Sequence, residues 1–382
     1  MLRLNPPKKL SPLRSFDGRL YLVGGWVRDR LLGVESKDFD FIVEGDDALY
    51  HEALSLLLKT FPPEPGSRRE FAQFRTLRWD SPGGWRLDLA RPRKETYPYP
   101  GALPVVSQAA DIAEDLGRRD FAANAMAWGV SRPVAGRWVD RFNGAGDVRL
   151  KRLRILHDKS FEDDPTRLLR AWRLMPRLGF CFDESTDQLA RQAVAGGLLE
   201  RVSWERRRDE LLRAFEEPRW AGAVSYFAAQ GCDFGFLPPI GPNSLAVQLR
   251  AAGPLERLAA CYAWQLIEEK RRMKSPLSEH PWPLRSVGRA LGQIELLAFK
   301  KWRLSQQPEP LTLAALKVVR PAWLKAFRRA HPALLNGRDL KRLNVGERLR
   351  GSILDEALNL VLEGRLATRR QALVWLKGRI KA

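Results

Sequence analysis

Cysteine is scarce in this 382-residue sequence: only Cys181, Cys232 and Cys261 occur, without a C-x-x-C pair, and the four histidines lie far apart. That pattern excludes a disulfide framework and the ligand spacings of a zinc site. An odd, sparse cysteine count fits a reducing compartment, the cytoplasm, with buried free thiols rather than a redox pair. No apolar run reaches the length of a membrane span, and no polybasic amphipathic helix is concentrated enough to lie on a bilayer. Met1–Ser15 is basic, but its three prolines interrupt any apolar core, so it does not read as a signal peptide. Short repeats and low-complexity tracts are also missing. Acidic residues run short: 45 Asp and Glu against 65 Lys and Arg leave a formal net charge of +20.

A surplus of that size points to a polyanionic partner, because Lys and Arg gain by releasing counterions condensed on phosphates. RNA or DNA is favoured over a membrane. Hydrophobic residues make up 45% of the chain, enough for a folded protein, and the length suggests two or three domains. Short apolar runs bounded by Gly, Pro or Asp predict strands at Leu20–Val23, Phe39–Val43, Thr76–Trp79 and Arg86–Leu89, and helical spacing marks Ala48–Thr60. Arg91–Pro104 has no periodicity and reads as a mobile loop. Beyond about Phe142 the pattern turns helical to the end, with amphipathic stretches at Arg167–Arg177, Tyr262–Glu269 and Ile353–Leu362 and prolines at the connections.

The most informative feature is a divided signature, Gly24-Gly25-Trp26-Val27-Arg28-Asp29 followed by Lys37-Asp38-Phe39-Asp40. Its first half ends an apolar strand and opens a helix from Val27 to Leu32. Its second half sets two carboxylates at i and i+2 in the next strand, where residues two apart project to one side. Asp38 and Asp40 can therefore grip a divalent cation beside a Gly-Gly turn whose backbone N–H groups are free to meet phosphate. Either piece alone is often only a turn or a solvated strand end. Their order and closeness make nucleotidyl transfer the leading reading.

Further motifs follow in order: Arg118-Arg119-Asp120-Phe121 with Asn124-Ala125-Met126-Ala127, then Asp163-Asp164-Pro165-Thr166-Arg167 with Leu168-Leu169-Arg170, then Glu205-Arg206 with Glu210-Leu211. Over roughly residues 18–215 the chain resembles the class II tRNA nucleotidyltransferases, the CCA-adding enzymes and their A-adding, CC-adding and bacterial poly(A) polymerase relatives. Gly337-Arg338-Asp339-Leu340 and Gly364 resemble the family's C-terminal region, whereas roughly 220–330 carries no assignable motif. The resemblance implies an α+β fold: a small mixed, polymerase-beta-like head at 18–142, then an elongated, mostly helical neck at 143–220, body at 221–300 and RNA-binding tail at 301–382. It also implies Mg²⁺, CTP and/or ATP as donors, and the 3′ end and acceptor arm of tRNA as partner, with no obligate protein partner.

On this resemblance Asp38 and Asp40 are the catalytic metal ligands. Asp88 is either a third carboxylate on a neighbouring strand or an ordinary solvent-facing one. Gly24 and Gly25 allow close approach of the triphosphate, Arg28 reaches the same oxygens, and Asp29 orients Arg28 or caps its helix. Arg118, Arg119 and Asp120 lie just before a helical stretch expected at Ala122–Trp128. The resemblance implies that they contact the incoming nucleotide, with Asn124 and Arg170 nearby; the competing reading is a surface salt-bridge cluster.

Asp164 and Arg167 are three apart, so on a helix they share a face. An acceptor beside a forked donor matches the Watson–Crick edges of cytosine and adenine, and protein would replace a nucleic-acid template. Asp164-Pro165 also reads as an N-cap followed by Pro at the first helical position. The family carries Glu where this chain has Asp163, which is expected to buttress Arg167, so the choice between CTP and ATP stays open. The wording Ser160-Phe161 through Arg167 resembles the A-adding branch. Glu205, Arg206 and Glu210 are expected to brace the nucleotide-reading helix. The loop with Glu95, Tyr97, Tyr99, Pro100, Gly101 and Leu103 resembles one that helps relatives switch from C to A; a passive loop would have the same composition. Lys270-Arg271-Arg272 and Lys300-Lys301-Trp302-Arg303 could hold an RNA backbone or simply be solvated. The expected function is addition of all or part of a tRNA 3′-terminal CCA. A poly(A) polymerase and a non-catalytic RNA-binding protein on the same fold are the alternatives.

Overall fold

Strict alternation in Asp38-Phe39-Asp40-Phe41 organises the head, because one strand presents both a core face and a site face. The structure, a computed structural model, describes residues 4, 6–72, 76–231, 253–268, 312–313, 334–362 and 365–381. Strand β1 (Arg19–Val23) leads through Gly24 into helix α1 (Gly25–Leu31). There follow β2 (Asp38–Glu44), α2 (Asp47–Thr60), β3 (Arg69–Phe71), β4 (Thr76–Ser81) and β5 (Trp85–Ala90). These strands, with β8 (Ala127–Gly129) and β9 (Trp138–Val139), form one sheet in the order β3-β4-β5-β2-β1-β8-β9. Only β2 and β5 run parallel; their register sets Asp38 against Arg86 and Asp40 against Asp88.

Phe39 is fully buried and anchors the core face. Its ring stacks on Trp85 at 5.0 Å and meets Phe61 at 5.6 Å and Trp26 at 6.0 Å. Burying such a ring contributes about 1.5–3 kcal/mol. On the other face Ile42, in step with Asp38 and Asp40, joins Tyr21, Val23, Ala90, Ile112 and Leu116 in a second apolar cluster. The carboxylates thus sit at one end of a face whose other end is packed.

Two expectations are corrected. Arg91–Pro104 is not a structureless loop: β6 (Arg93–Thr96) pairs antiparallel with β7 (Val105–Gln108), making a separate hairpin. Strand β6 carries ion pairs within itself and to Glu114 and Arg118 (Arg93–Glu95, Lys94–Glu114 and Glu95–Arg118) rather than an apolar face, so no hydrophobic period could announce it. Ala122–Trp128 is not helical throughout. A short 3₁₀ turn at Ala122–Asn124 is followed by β8, which joins β1 through Val23 opposite Ala127. Every residue from Phe121 to Val130 is buried, and a continuously buried run carries no period.

The elements that follow are α3 (Ile112–Leu116), α4 (Gly144–Arg149), a two-stranded parallel sheet of β10 (Arg152–Leu153) and β11 (Cys181–Phe182), α5 (Ser160–Asp163), α6 (Thr166–Leu178), α7 (Glu184–Ala195) and α8 (Trp204–Glu216). A mixed sheet with predominantly helical structure after it agrees with the α+β expectation. The chain divides into two units, Met1–Leu211 and Leu212–Ala382.

In the second unit, helices span Trp220–Ala229, Pro254–Glu268, Gly337–Arg342, Glu347–Leu362 and Arg369–Lys381. The last three enclose a core with Leu340, Ile353, Val361 and Leu376. Asn336 and Asp339 form a reciprocal capping box, and Asp339 accepts from Arg369 at 2.7 Å. The Gly337–Leu340 motif therefore has a folding role. Lys270–Arg272, Lys300–Arg303 and Gly364 lie outside the described residues. No helix among the described residues is long and apolar enough to cross a membrane.

Candidate active site

Asp38 and Asp40 project from one face of β2, and Asp88 joins them because β5 is in register beside it. Burial and the neighbouring like charges act on both carboxyls. Burial, then Asp88 and Asp38, push the Asp40 carboxyl up to about 7, and burial with Asp88 raises Asp38. Asp88 differs from both, since Arg78, opposite it on β4, clasps both its oxygens at 2.6 and 2.5 Å. Among the described residues no three acidic, histidine or cysteine side chains converge on one coordination point. Asp38 and Asp40 remain as a hard-oxygen pair with excess negative charge, which fits a divalent cation that takes one or two carboxylates and completes its shell from substrate and water. Divalent metal is the general requirement of such sites.

Gly24 closes the β1 side of this pair. Its φ of +72° suits glycine, and a Cβ there would lie 2.7 Å from Arg119 Nη1 and 3.5 Å from Asp40 Oδ2. The missing side chain thus lets a guanidinium come up to the carboxylates. The turn is less open than its sequence suggested, for the Gly24 N–H donates to the Met126 carbonyl at 3.1 Å. Arg28 is also engaged: Asp29 Oδ1 accepts from its Nε at 2.8 Å and Nη2 at 2.6 Å, and Asn124 Oδ1 accepts from Nη1 at 2.6 Å. Asp29 orients Arg28, one of its two anticipated roles. Gly24→Ala should cost about 1–2 kcal/mol in stability through backbone strain. Displacing Arg119 should lower nucleotide incorporation about tenfold or more; a variant with wild-type melting temperature and rate would discount both effects.

Arg118 and Arg119 share one buried anchor that sequence reading missed. Asp115 accepts from Arg118 Nε and Nη2 at 3.0 and 2.8 Å through Oδ1, and from Arg119 Nη2 at 3.1 Å through Oδ2. The spacings of three and four residues were the available signal. Burial alone would raise Asp115, but the two guanidiniums hold it below the usual carboxylate range. Glu95, from the hairpin, accepts from Arg118 at 3.0 Å, Arg93 at 3.0 Å and the Tyr97 hydroxyl at 3.0 Å. Asp120 is satisfied internally: Asn124 and the Phe121 N–H each donate to Oδ1 at 2.9 Å, while Arg170 grips Oδ2 at 2.9 and 2.7 Å. Asp120 and Arg170 thereby fasten to α6 the segment that leads through the 3₁₀ turn into β8.

Asp164 does not lie on a helix with Arg167. It occupies an extended junction between α5 and α6, at φ −136° and ψ 93°, as a residue before proline prefers. Its Oδ1 accepts from the Thr166 N–H at 3.1 Å, the Thr166 hydroxyl at 2.7 Å and Arg206 Nη2 at 2.7 Å; Oδ2 has no partner among the described residues. Arg167 is buried, with Ser160 Oγ accepting from Nη1 at 2.7 Å, the Arg118 carbonyl accepting from Nη2 at 2.9 Å, and Tyr97 beneath it at 5.9 Å. Ser160, not Asp163, supports Arg167; Asp163 faces His157 at 3.8 Å.

Arg206 also donates to the Gly101 and Ala102 carbonyls at 2.9 and 3.3 Å, pinning the hairpin tip. Glu210 approaches Arg173 at 3.3 Å and Arg170 at 3.8 Å. Arg206 and Glu210 therefore touch the junction and α6, while Glu205 stands at the start of α8.

Residues 20–154 match the family described as Poly A polymerase head domain. The chain is 42% identical over 202 residues to an A-adding tRNA nucleotidyltransferase of Aquifex aeolicus, covering 53% of this chain and 24% of that protein. It is 39% identical over 202 residues to an A-adding tRNA nucleotidyltransferase of Halalkalibacterium halodurans, covering 52% of this chain and 46% of that protein. The chain thus spans under half the length of these relatives. A solved structure of a CCA-adding enzyme, apo form II, is similar with a TM-score of 0.69 and 25% identity over 98% of this chain and 97% of that one.

Proposed function

We propose that this chain, whose residues 20–154 belong to the Poly A polymerase head-domain family, is a tRNA nucleotidyltransferase. It adds AMP from ATP to a tRNA 3′ end and releases pyrophosphate, with Mg²⁺ as its metal. The observation that carries this reading is the Asp38–Asp40 pair beside Gly24 and Arg119. Similarity to two A-adding enzymes supports adenylate as the transferred group. Residues 18–142 would be the head, 143–220 the nucleotide-reading neck, and 221–300 and 301–382 the body and tail. The free thiols of Cys181 and Cys261 support a cytoplasmic setting.

When bound, the metal would polarise the α-phosphate and ease departure of pyrophosphate. Asp38 and Asp40 would hold it, and Asp38 accepts the proton of the attacking 3′ hydroxyl. The new 3′ O–P bond forms as the bond from the α-phosphorus to pyrophosphate breaks. Arg119, fixed by Asp115, meets the triphosphate where Gly24 leaves room. Asp164 Oδ2 would offer an acceptor to the base, and the buried Arg167, held by Ser160 and the Arg118 carbonyl, a remaining N–H.

The direct test gives purified protein tRNAs ending at the discriminator base, at C and at CC, with each labelled NTP separately. One AMP on the CC end is expected; CMP addition would indicate CC- or CCA-addition, and many AMP residues a poly(A) polymerase. Asp164→Asn and Asp164→Ser separate base reading from capping, since both replacements cap about as well. Asn can donate where Asp cannot, so misincorporation of UTP or GTP should rise about tenfold relative to ATP. Unchanged selectivity in both variants would leave Asp164 a junction residue only.

A further inference from the structure

Arg167, in the first turn of α6, is buried and held at two points. Its Nη1 donates to Ser160 Oγ at 2.7 Å and to the Ser160 carbonyl at 3.3 Å. Its Nη2 donates to the Arg118 carbonyl at 2.9 Å. The Tyr97 ring lies against the guanidinium at 5.9 Å, with its own hydroxyl tied to Glu95 at 3.0 Å. Ser160 is the one side chain among the described residues that accepts a hydrogen bond from Arg167. It is fully buried at the first position of α5, so solvent does not weaken the bond.

The Arg118 carbonyl is itself firmly mounted. It belongs to the peptide that joins Arg118 to Arg119, and both of these side chains end on the buried Asp115. Arg119 is the cation that Gly24 admits beside Asp40. One anchored peptide therefore ties the base-reading arginine to the triphosphate cation, and the span between them is held within narrow limits.

The two candidate bases differ in that span. A purine carries its Watson–Crick edge farther from the sugar than a pyrimidine does, by the added imidazole ring. Adenine N1 and cytosine N3 are both acceptors, so a donor alone does not separate them, whereas a donor at fixed depth does. A single bond to the Arg118 carbonyl would leave the guanidinium free to pivot; the Ser160 hydroxyl supplies the second point. We propose that Ser160 is a specificity-determining positioning residue, whose hydroxyl sets the depth of Arg167 and so favours adenine over cytosine. The inference rests on the base-reading role given to Arg167 and adds the group that tunes its choice.

The test measures kcat/KM for each of the four NTPs on a CC-ending tRNA in Ser160→Ala and Ser160→Cys. The Ser160 carbonyl still accepts from Nη1 in both, and cysteine fills the same space with a weak acceptor. In each variant kcat/KM for CTP relative to ATP should rise about tenfold. UTP and GTP should stay excluded, because uracil N3 and guanine N1 carry hydrogens that face the Arg167 donor. A uniform rise for all three wrong nucleotides would show a merely loosened site and overturn the proposal. Wild-type selectivity in Ser160→Cys beside a loss in Ser160→Ala would overturn it too, by assigning the effect to packing. So would selectivity unchanged in both Ser160 variants and lost in Asp163→Ala, which would return the role to the motif carboxylate. In each of these cases a wild type specific for ATP leaves the enzyme reading intact. A wild type that adds CMP as readily as AMP removes the A-adding reading, and the proposal with it.

Discussion

Asp38→Ala and Asp40→Ala should each lower nucleotide incorporation by about 10³-fold or more while tRNA binding persists. Charge stabilisation by a correctly held metal is worth several kcal/mol, and each ~1.4 kcal/mol is a factor of ten. The structure adds an expectation that separates loss of chemistry from loss of fold. The Asp40 carboxyl is pushed up to about 7 by burial and by Asp88 and Asp38. A carboxyl with a raised folded pKa binds its proton more tightly folded than unfolded. Its contribution to stability is greatest at low pH and is lost as pH rises from about 4 towards about 7.

In chelator-treated protein at pH 8, Asp40→Asn should therefore melt at or above the wild-type temperature, and the gap should close below about pH 4. Adding Mg²⁺ should raise the wild-type melting temperature and not that of the variant. Incorporation within tenfold of wild type in both alanine variants would remove the catalytic assignment. A variant that melted well below wild type at pH 8 would show that the pair holds the head together instead.

Much of this site was legible because it rests on local periodicity. The two-residue alternation in β2 fixed Asp38 and Asp40 on one face without knowledge of the fold, and the apolar residues between them fixed the opposite face as core. Asp88 was ambiguous for a physical reason. Its position depends on the parallel register of β2 and β5, a pairing across 48 residues that no local pattern encodes. Once register is known, its partnership with Arg78 follows. Asp164 was misplaced on a helix although Pro165 disfavours that conformation for the residue before it. The cap reading had the junction right. Asp163 failed as a buttress because α5 turns it towards His157, and Ser160, one turn earlier, takes the place beside Arg167. Charged hairpins such as β6–β7 carry no apolar rhythm and become visible only through their ion pairs.

Asp120→Ala should destabilise the described head by breaking a buried ion pair. The Asp120 side chain is 8% exposed and receives four hydrogen bonds: from Asn124, from the Phe121 N–H and two from Arg170. Breaking a buried pair by removing one partner costs about 3–5 kcal/mol because the other charge is stranded. Arg170 keeps 35% of its side chain in solvent and has Glu210 at 3.8 Å, so the cost here should fall to about 2–3 kcal/mol. Asp120→Asn, which still accepts at one oxygen, should lie between.

The pH dependence has the opposite sign to that of Asp40. Burial would raise the Asp120 carboxyl, but Arg170 and the Asn124 hydrogen bond hold it well below the usual range. A depressed carboxyl stabilises fully above its unfolded pKa of about 3.9 and loses that contribution as pH falls towards its folded value. Urea unfolding of wild type and Asp120→Ala should therefore differ by a constant amount from neutral pH down to about pH 4 and converge below it. Equal stabilities at neutral pH would mean that the segment leading into β8 is joined to α6 by packing alone. A difference that widened on acidification would mean that Asp120 is held protonated, and that Arg170 is not its partner in solution.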